Sequence, residues 1–244
     1  MRKFNLIVAS VLIGTMLFSL CSCKKEAEPS ITGPIGSMLD FQSAEDGDTV
    51  TFEGYVQDKE ALWSVDGKTS CSFYVQTDVG GAYVYEAPMS EETYNALTDG
   101  VLVRVQGTKS TWSNLPEITN AIVEVVGGSA WSAPRYEIKN ADIPSSALST
   151  RVSVNDATVV KMTSGNIIEY GYNNQGGRGD NISFLVKIDG VDIPCSVDTH
   201  LTGASSACYA TAEALKEGSS VSVNGILSVR GNEYFVLVTD ITVK

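Results

Sequence analysis

The sequence contains one structural unit twice, and this duplication limits the possible folds more than any other feature. Three blocks of the first half recur in the same order in the second half. The matched blocks are Ser72-Phe73-Tyr74-Val75 with Ser183-Phe184-Leu185-Val186, Ala96-Leu97-Thr98-Asp99-Gly100 with Ala214-Leu215-Lys216-Glu217-Gly218, and Val103-x-Val105-x-Gly107 with Val221-x-Val223-x-Gly225. The repeat predicts two similar domains in tandem, each with its own core.

Alternation of apolar and polar residues predicts β-strands through most of both copies. The alternating runs are 49–56, 72–77, 101–107 and 118–126 in the first copy, and 152–160, 182–188, 221–226 and 234–243 in the second. Two short segments indicate helices instead. Segment 90–97 begins with a serine suited to an N-cap and continues with acidic residues, and segment 205–215 is rich in alanine.

The order of three strands, a short helix and two strands resembles the OB-fold. We therefore expect an all-β protein with minor α content, built from two tandem OB-fold-like five-stranded Greek-key barrels, each with a short helix between strands 3 and 4. A pair of β-sandwiches is the alternative, and the helix just before a strongly alternating strand favours the barrels. The residues predicted to fill the barrels are Phe73, Val75, Val103, Val105, Phe184, Val186, Val221 and Val223.

The segment between the copies has the composition of a linker. Residues 129–148 contain Pro134 and Pro144, and their Trp131 and Tyr136 predict that the linker packs across the barrels. The expected domains are then barrel 1 over 37–128 and barrel 2 over 149–244.

The N-terminus carries the pattern of a secretory signal. Arg2 and Lys3 precede an apolar stretch over 4–20, and the sequence Leu20-Cys21-Ser22-Cys23 resembles the lipobox of bacterial lipoproteins. The resemblance implies a signal peptide over 1–22, lipidation of Cys23 and an extracytoplasmic protein held at a cell membrane or outer envelope. A flexible tether is expected over 23–36. The alternative is an uncleaved membrane anchor.

A further resemblance covers most of the chain after Met38. The stretches that carry it are Asp48-Thr49-Val50-Thr51-Phe52-Glu53-Gly54-Tyr55-Val56-Gln57, Gly81-Ala82-Tyr83-Val84-Tyr85, Gly107-Thr108-Lys109-Ser110-Thr111-Trp112 and 214–223. They are similar to tandem OB-like domains in lipoproteins of low-GC Gram-positive bacteria and their relatives. The resemblance implies no activity.

Charge and residue types restrict the chemistry. Without Arg2 and Lys3 the chain has 15 basic and 29 acidic residues, a net charge of −14. Because such a surface repels phosphate backbones, we expect no nucleic-acid partner. His200 is the sole histidine, and no Cys/His spacing suits zinc. We therefore expect no enzyme, no cofactor and no metal.

The cysteines leave two possibilities open. With Cys23 lipidated, Cys71, Cys195 and Cys208 remain. Proximity in sequence and an exported location make Cys195 and Cys208 a candidate disulfide pair. Three buried thiols are the alternative, slightly favoured because large domains do not need disulfides for stability.

Aromatic residues point to the first barrel as the binding domain. Trp63 is expected in the loop between strands 1 and 2, and Trp112 in the loop between strands 4 and 5. Tyr74, Tyr83 and Tyr85 are expected on strands 2 and 3, which form the ligand face of OB-folds. Such a face suits a glycan or peptide. Alternatively, both tryptophans pack on each other or on the linker.

The second copy lacks both tryptophans, and a tight Arg230-Gly231-Asn232 turn is expected there in place of the longer loop. Two functions remain open: a non-catalytic binding module, and a structural envelope spacer without a small ligand.

Overall fold

The computed structural model describes residues 30–140, 143–163 and 181–244. The predicted signal peptide and Cys23 lie outside the described residues. Within the described part, no helix is both long and apolar enough to cross a membrane.

The first copy of the repeat forms a closed barrel. Its elements in chain order are α1 (Met38–Ser43), β1 (Thr49–Lys59), β2 (Trp63–Val65), β3 (Lys68–Thr77), β4 (Gly80–Pro88), α2 (Glu91–Ala96), β5 (Leu102–Trp112) and β6 (Leu115–Val125). The strand order is β1-β5-β6-β4-β3-β2, and β1 also pairs with β3, which closes a ring of five strands. The β4–β6 pair is parallel, whereas β1 runs antiparallel to both β3 and β5.

The second copy repeats this arrangement. Its elements are β7 (Tyr136–Glu137), a 3₁₀ helix (Ser145–Ala147), β8 (Arg151–Thr163), β9 (Ile182–Ile188), β10 (Val191–Val197), α3 (Thr199–Thr202), α4 (Ala207–Ala214), β11 (Ser220–Arg230) and β12 (Glu233–Val243). The order β11-β12-β10-β9-β8-β7 closes through β11–β8, and β10–β12 is the parallel pair.

These two rings have the Greek-key topology of the OB-fold, with α2 and α4 placed between the third and fourth barrel strands. The predicted fold class is confirmed. The serines before the two helices act as N-caps, since Ser90 accepts from the Thr93 N–H and Ser206 from the Tyr209 N–H. Sequence patterns did not predict α1, α3, β2 or β7.

The barrel interiors are filled by the predicted residues. Phe73 and Val103 are fully buried in barrel 1, as are their counterparts Phe184 and Val221 in barrel 2. Helix α1 adds Met38 and Phe41 to the first core. Because strand residues alternate between faces, Tyr74 beside Phe73 must then point outward.

The repeated glycines have a packing role. A Cβ on Gly107 would overlap the Ile118 side chain, and one on Gly225 would overlap the Leu237 carbonyl oxygen. Both glycines lie beside a register shift in their strand pairing. The repeat therefore preserves a close strand approach as well as a hydrophobic pattern.

The first part of the described chain packs on barrel 1. The Ile31 N–H donates to the Glu124 carboxylate at 3.0 Å, and the Gly36 N–H donates to the Thr51 carbonyl at 2.8 Å. The predicted tether over 23–36 is therefore wrong for residues 31–36, because these hydrogen bonds join them to β1 and β6.

The linker packs against both barrels, as its aromatic residues predicted. The Trp131 and Tyr55 rings lie 5.1 Å apart on barrel 1. Further along, Ile138 and Ala147 are buried in the core of barrel 2. The linker is thus part of the packed protein.

Candidate functional site

The predicted aromatic face exists on the outer side of β3 and β4. The ring centroids of Tyr74 and Tyr83 are 4.8 Å apart and stacked, and those of Tyr83 and Tyr85 are 6.2 Å apart. These residues form a row because Tyr74 pairs directly with Tyr83 across the two antiparallel strands.

The second barrel covers most of this face. Tyr74 is only 2% exposed and packs with Ile226, Phe235 and Leu237 of β11 and β12, while Tyr83 packs against the same cluster. The prediction of an open ligand face is therefore wrong at Tyr74 and Tyr83. Burying these apolar surfaces against each other stabilises the pair of barrels.

The hydroxyl groups of Tyr83 and Tyr85 form hydrogen bonds within barrel 1. Tyr83 donates to the Glu60 carboxylate at 2.9 Å, and Tyr85 donates to Glu86 at 2.8 Å. Burial raises the pKa of Tyr83 well above its usual value, and the nearby Glu60 charge adds to this. Tyr85 stays partly exposed at the end of the row.

Arg151 connects the barrels through polar contacts. Its guanidinium donates to the Gln57 carbonyl at 2.6 Å and to the Asp99 carboxylate at 2.8 Å. Its backbone N–H donates to the Gln76 side chain at 2.9 Å. One nitrogen, Nε, is buried without a hydrogen-bond partner. Arg151 is therefore a structural contact at the inter-barrel interface.

The turn between β5 and β6 also contacts the turn between β11 and β12. The Gly231 N–H donates to the Ser113 carbonyl at 2.8 Å, and the Asn114 side-chain amide donates to the Gly231 carbonyl at 2.7 Å. Ser113 and Asn114 have φ values of 50° and 70°, which make a tight two-residue turn. The expected long loop in the first copy is wrong, because both copies turn tightly here.

Trp112 lies at this hairpin junction, which we define as Trp112, Ser113, Asn114, Arg230 and Gly231. It is the last residue of β5 and is 47% exposed. The Arg230 guanidinium lies 5.7 Å from the ring centroid. Among the described residues, its ring contact is thus with barrel 2, not with Trp63 or the linker.

Trp63 is not brought to the hairpin junction by any described contact. It begins the short strand β2 between β1 and β3, pairs with Ser70, and is half-buried. Its neighbour Val65 on the same strand is exposed. Trp63 therefore lies in the predicted connection, but as part of a strand.

A cleft of about 280 Å³ opens between the barrels, and its lining residues come from both. They are Asp58, Leu201, Thr202, Ser206, Ala207, Cys208, Thr239 and Asp240. Burial raises the pKa of Asp58 to about 6, although Arg151 opposes the shift. The cleft holds carboxylates and hydroxyl groups, but its lining includes no histidine to act as a base.

His200 serves the interface through its backbone. Its carbonyl accepts from the Ala61 N–H at 2.7 Å, which links α3 to the connection after β1. The His200 Nδ1 lies 3.6 Å from the Asp198 carboxylate. Within the described chain, no group of three or more His, Cys, Asp or Glu residues is placed to hold a metal.

The candidate disulfide is not formed. Cys71, Cys195 and Cys208 are free buried thiols. Burial raises the pKa of Cys71 to about 12 and that of Cys208 to about 11, and it raises the pKa of Cys195 as well. The prediction of Cys195–Cys208 pairing is therefore wrong, and the alternative of three buried thiols describes the structure.

No protein-family model matches the chain, and no curated protein matches it. Among solved structures, similar chains include a murine DNA-binding protein bound to double-stranded DNA, at 13% identity and a TM-score of 0.37, covering 80% of this chain and 94% of that one. A HINa domain in complex with 20-bp double-stranded DNA is similar at 13% identity and a TM-score of 0.38, with coverage of 82% and 96%.

Asparaginyl-tRNA synthetase from Pyrococcus horikoshii, complexed with asparaginyl-adenylate, has 18% identity and a TM-score of 0.28 over 38% of this chain. The chain spans 19% of the length of that synthetase.

The exclusion of nucleic acid as a partner is corrected by these comparisons. Two of the similar structures are complexes with double-stranded DNA. The net negative charge of this chain therefore does not exclude a nucleic-acid partner.

Sequence patterns missed the residues that join the barrels. Arg151 stands directly before the apolar alternation of β8, and Arg230 stands in the predicted turn. The sequence around these two arginines does not indicate that either contacts a residue about 50 or more positions away. Alternation of apolar and polar residues predicts only which face of the strand a side chain is on. The Asn114 position did carry a signal, because asparagine tolerates the left-handed conformation of a tight turn.

Proposed function

We propose that the chain is a membrane-anchored extracytoplasmic lipoprotein whose two joined barrels act as one non-catalytic interaction module for a glycan or peptide. The observation that carries the proposal is the exposed Trp112 at the hairpin junction, beside Arg230 of the other barrel.

The chemistry of the hairpin junction supports such a ligand. An exposed indole provides an apolar platform for a sugar ring or an aliphatic side chain. Ser113, Asn114 and Gly231 place hydroxyl, amide and backbone groups within the same junction. A platform flanked by a few fixed polar groups is the usual composition of a small-ligand site. Tyr74 and Tyr83 take no part, because they lie in the inter-barrel interface.

Binding is tested with the full chain on glycan and peptide arrays, with duplex DNA as a third ligand class. Trp112→Ala is expected to lower the bound signal about tenfold or more, the loss of roughly 1.4 kcal/mol or more. Tyr136→Ala is the matched control, because this exposed aromatic lies on β7, away from the junction. Equal binding by both variants, or binding to DNA alone, would contradict the proposal.

The anchor is supported by the pattern Leu20-Cys21-Ser22-Cys23 after an apolar stretch. Cys23→Ser is expected to release the protein from the membrane fraction and to abolish incorporation of labelled fatty acid. Cys21→Ser, two residues away, is the control and should retain both. Fatty-acid labelling that survives Cys23→Ser would overturn the anchor.

A structural spacer is the second candidate, and the burial of Tyr74 against barrel 2 favours it. A spacer needs rigidity and no free ligand face. It predicts that cells tolerate Trp112→Ala and lose function when Arg151→Ala loosens the barrels. The interaction module predicts loss of function for both variants, so the Trp112 variant separates the two candidates.

A further inference from the structure

The first described residues run across one wall of barrel 1. This wall is formed by β1, β5 and β6. The Gly36 N–H bonds to Thr51 of β1, Gln106 of β5 donates to the Thr32 carbonyl at 2.6 Å, and the Ile31 N–H bonds to Glu124 of β6. Followed toward its N-terminus, the chain therefore crosses the β1–β5–β6 wall and leaves barrel 1 at β6.

Little chain separates this wall from the proposed lipid. Eight residue steps connect Cys23 with Ile31, the first residue that is bonded to the wall. A fully extended chain spans at most about 3.6 Å per residue, so these steps reach about 29 Å at most. The tether predicted over 23–36 would reach farther from the membrane, because residues 31–36 were not expected to bind barrel 1.

Barrel 2 occupies the opposite wall. Going around barrel 1, the strand order is β1-β3-β4-β6-β5. Barrel 2 packs on Tyr74 of β3 and Tyr83 of β4. In a ring of five strands, the β3–β4 pair lies across from β5, which is the centre of the anchored wall.

We infer that the β1–β5–β6 wall of barrel 1 lies against the lipid surface, with barrel 2 held on the side away from it. The inference rests on the proposed lipid anchor at Cys23. The short reach keeps this wall near the bilayer, and the position of barrel 2 prevents the opposite wall from taking its place.

The surface of the wall suits a neutral lipid headgroup layer. Ile35 is exposed within the segment that crosses the wall, Val125 and Val126 are exposed directly after Glu124, and Leu39 is exposed on α1, which follows the segment and packs on β1 and β4. Transfer of exposed aliphatic side chains from water into a membrane interface lowers the free energy.

The central charges of the wall form one ion-paired group of an arginine and two carboxylates. Arg104 lies 2.6 Å from a Glu53 carboxylate oxygen and 3.4 Å from one of Glu124. Such pairing lowers the cost of bringing the wall close to lipid, compared with unpaired charges. The wall has no basic cluster to attract anionic lipid. Contact is therefore made by the anchor and the aliphatic residues.

The test uses the full lipidated chain in phosphatidylcholine vesicles whose acyl chains carry bromine near the headgroups, which quenches tryptophan emission at short range. Leu39→Trp places a reporter beside the anchored segment. Val243→Trp is the matched control at the end of β12 in barrel 2, because Leu39 and Val243 are 55% and 52% exposed. The three native tryptophans give a common background, measured on the parent chain.

The extra emission of Leu39→Trp is expected to fall at least twofold on brominated vesicles relative to unbrominated ones, and that of Val243→Trp to stay unchanged. Equal or stronger quenching at Val243 would overturn the orientation. Protein that floats with the vesicles while Leu39→Trp stays unquenched overturns the orientation and leaves the anchor intact. Protein that fails to float overturns the anchor and the orientation together.

Discussion

Arg151 of barrel 2 donates a hydrogen bond to the Asp99 carboxylate of barrel 1 at 2.8 Å, and its side chain is almost completely buried while doing so. The same guanidinium bonds to the Gln57 carbonyl of barrel 1 and to Ser132 of the linker. One side chain thus joins three parts of the molecule, and its loss leaves the buried Gln57 carbonyl without this donor.

Arg151→Ala is expected to lower the free energy of unfolding by about 1–3 kcal/mol, because the buried Gln57 carbonyl loses a charged hydrogen-bond donor. Urea unfolding followed by fluorescence measures the change. Arg104→Ala is the control. The Arg104 side chain is more exposed than that of Arg151 and its ion pairs lie within barrel 1, so a loss of about 1 kcal/mol or less is expected. Similar losses for both variants would show that Arg151 has no special role.

Tyr74→Ala is expected to cost about 2–4 kcal/mol, since it leaves a cavity against Ile226, Phe235 and Leu237. The unfolding transition should also broaden or split as the barrels lose cooperativity. Tyr85→Ala, at the partly exposed end of the same row, should cost about 1 kcal/mol or less. A single sharp transition with an unchanged midpoint for Tyr74→Ala would refute the interface role of this ring.

The raised pKa of Asp58 predicts that the free energy of unfolding depends on pH. Burial raises its pKa to about 6 from 3.8, with Arg151 and Arg135 opposing the shift and Asp99 adding to it. The folded protein therefore binds more protons than the unfolded chain between these values, so this carboxyl contributes stability at low pH that is lost as pH rises through about 6.

Asp58→Asn is expected to flatten this dependence and to raise stability at pH 7 by about 1–2 kcal/mol, after allowance for solvent in the cleft. Thermal unfolding between pH 4 and 8 (roughly the range over which Asp58 titrates) measures it. Asp240→Asn, on the exposed side of the same cleft, serves as the control and should leave the slope in place. A steeper slope after Asp58→Asn would reverse the assignment.

Cys71, Cys195 and Cys208 should resist alkylation in the folded protein. All three are buried and free, and their raised pKa values keep them as thiols at neutral pH. Iodoacetamide followed by mass spectrometry should count three modified residues in urea without reductant, and few without urea. Cys23→Ser removes the lipidated cysteine from the count. A need for reductant to reach three would demonstrate a disulfide.

The barrels could be predicted because alternation determines which side chains point inward. Phe73 and Val75 face the core in one copy, as do Phe184 and Val186 in the other. The helix positions followed from Ser90 and the alanine-rich segment 205–215. These signals are local, and a closed barrel is the arrangement in which each copy satisfies them.

The site could not be predicted in the same way. Tyr74 points outward in any OB-like barrel, and an outward tyrosine has the same pattern whether it meets a ligand or a second barrel. Whether Ile226 and Phe235 cover it depends on how the copies dock, which no local pattern encodes. Ile31 and Thr32 were predicted to belong to a flexible tether for a similar reason. Their hydrogen-bond partners, Glu124 and Gln106, are distant in sequence, so no local pattern indicates the contacts.

The burial of Tyr74 against Ile226 also makes each copy of the repeat depend on the other for solubility. A chain that lost either copy would expose an apolar wall to water and become prone to aggregation. Either copy is therefore expected to remain soluble only together with the other, or with a substitute surface that covers the same apolar residues.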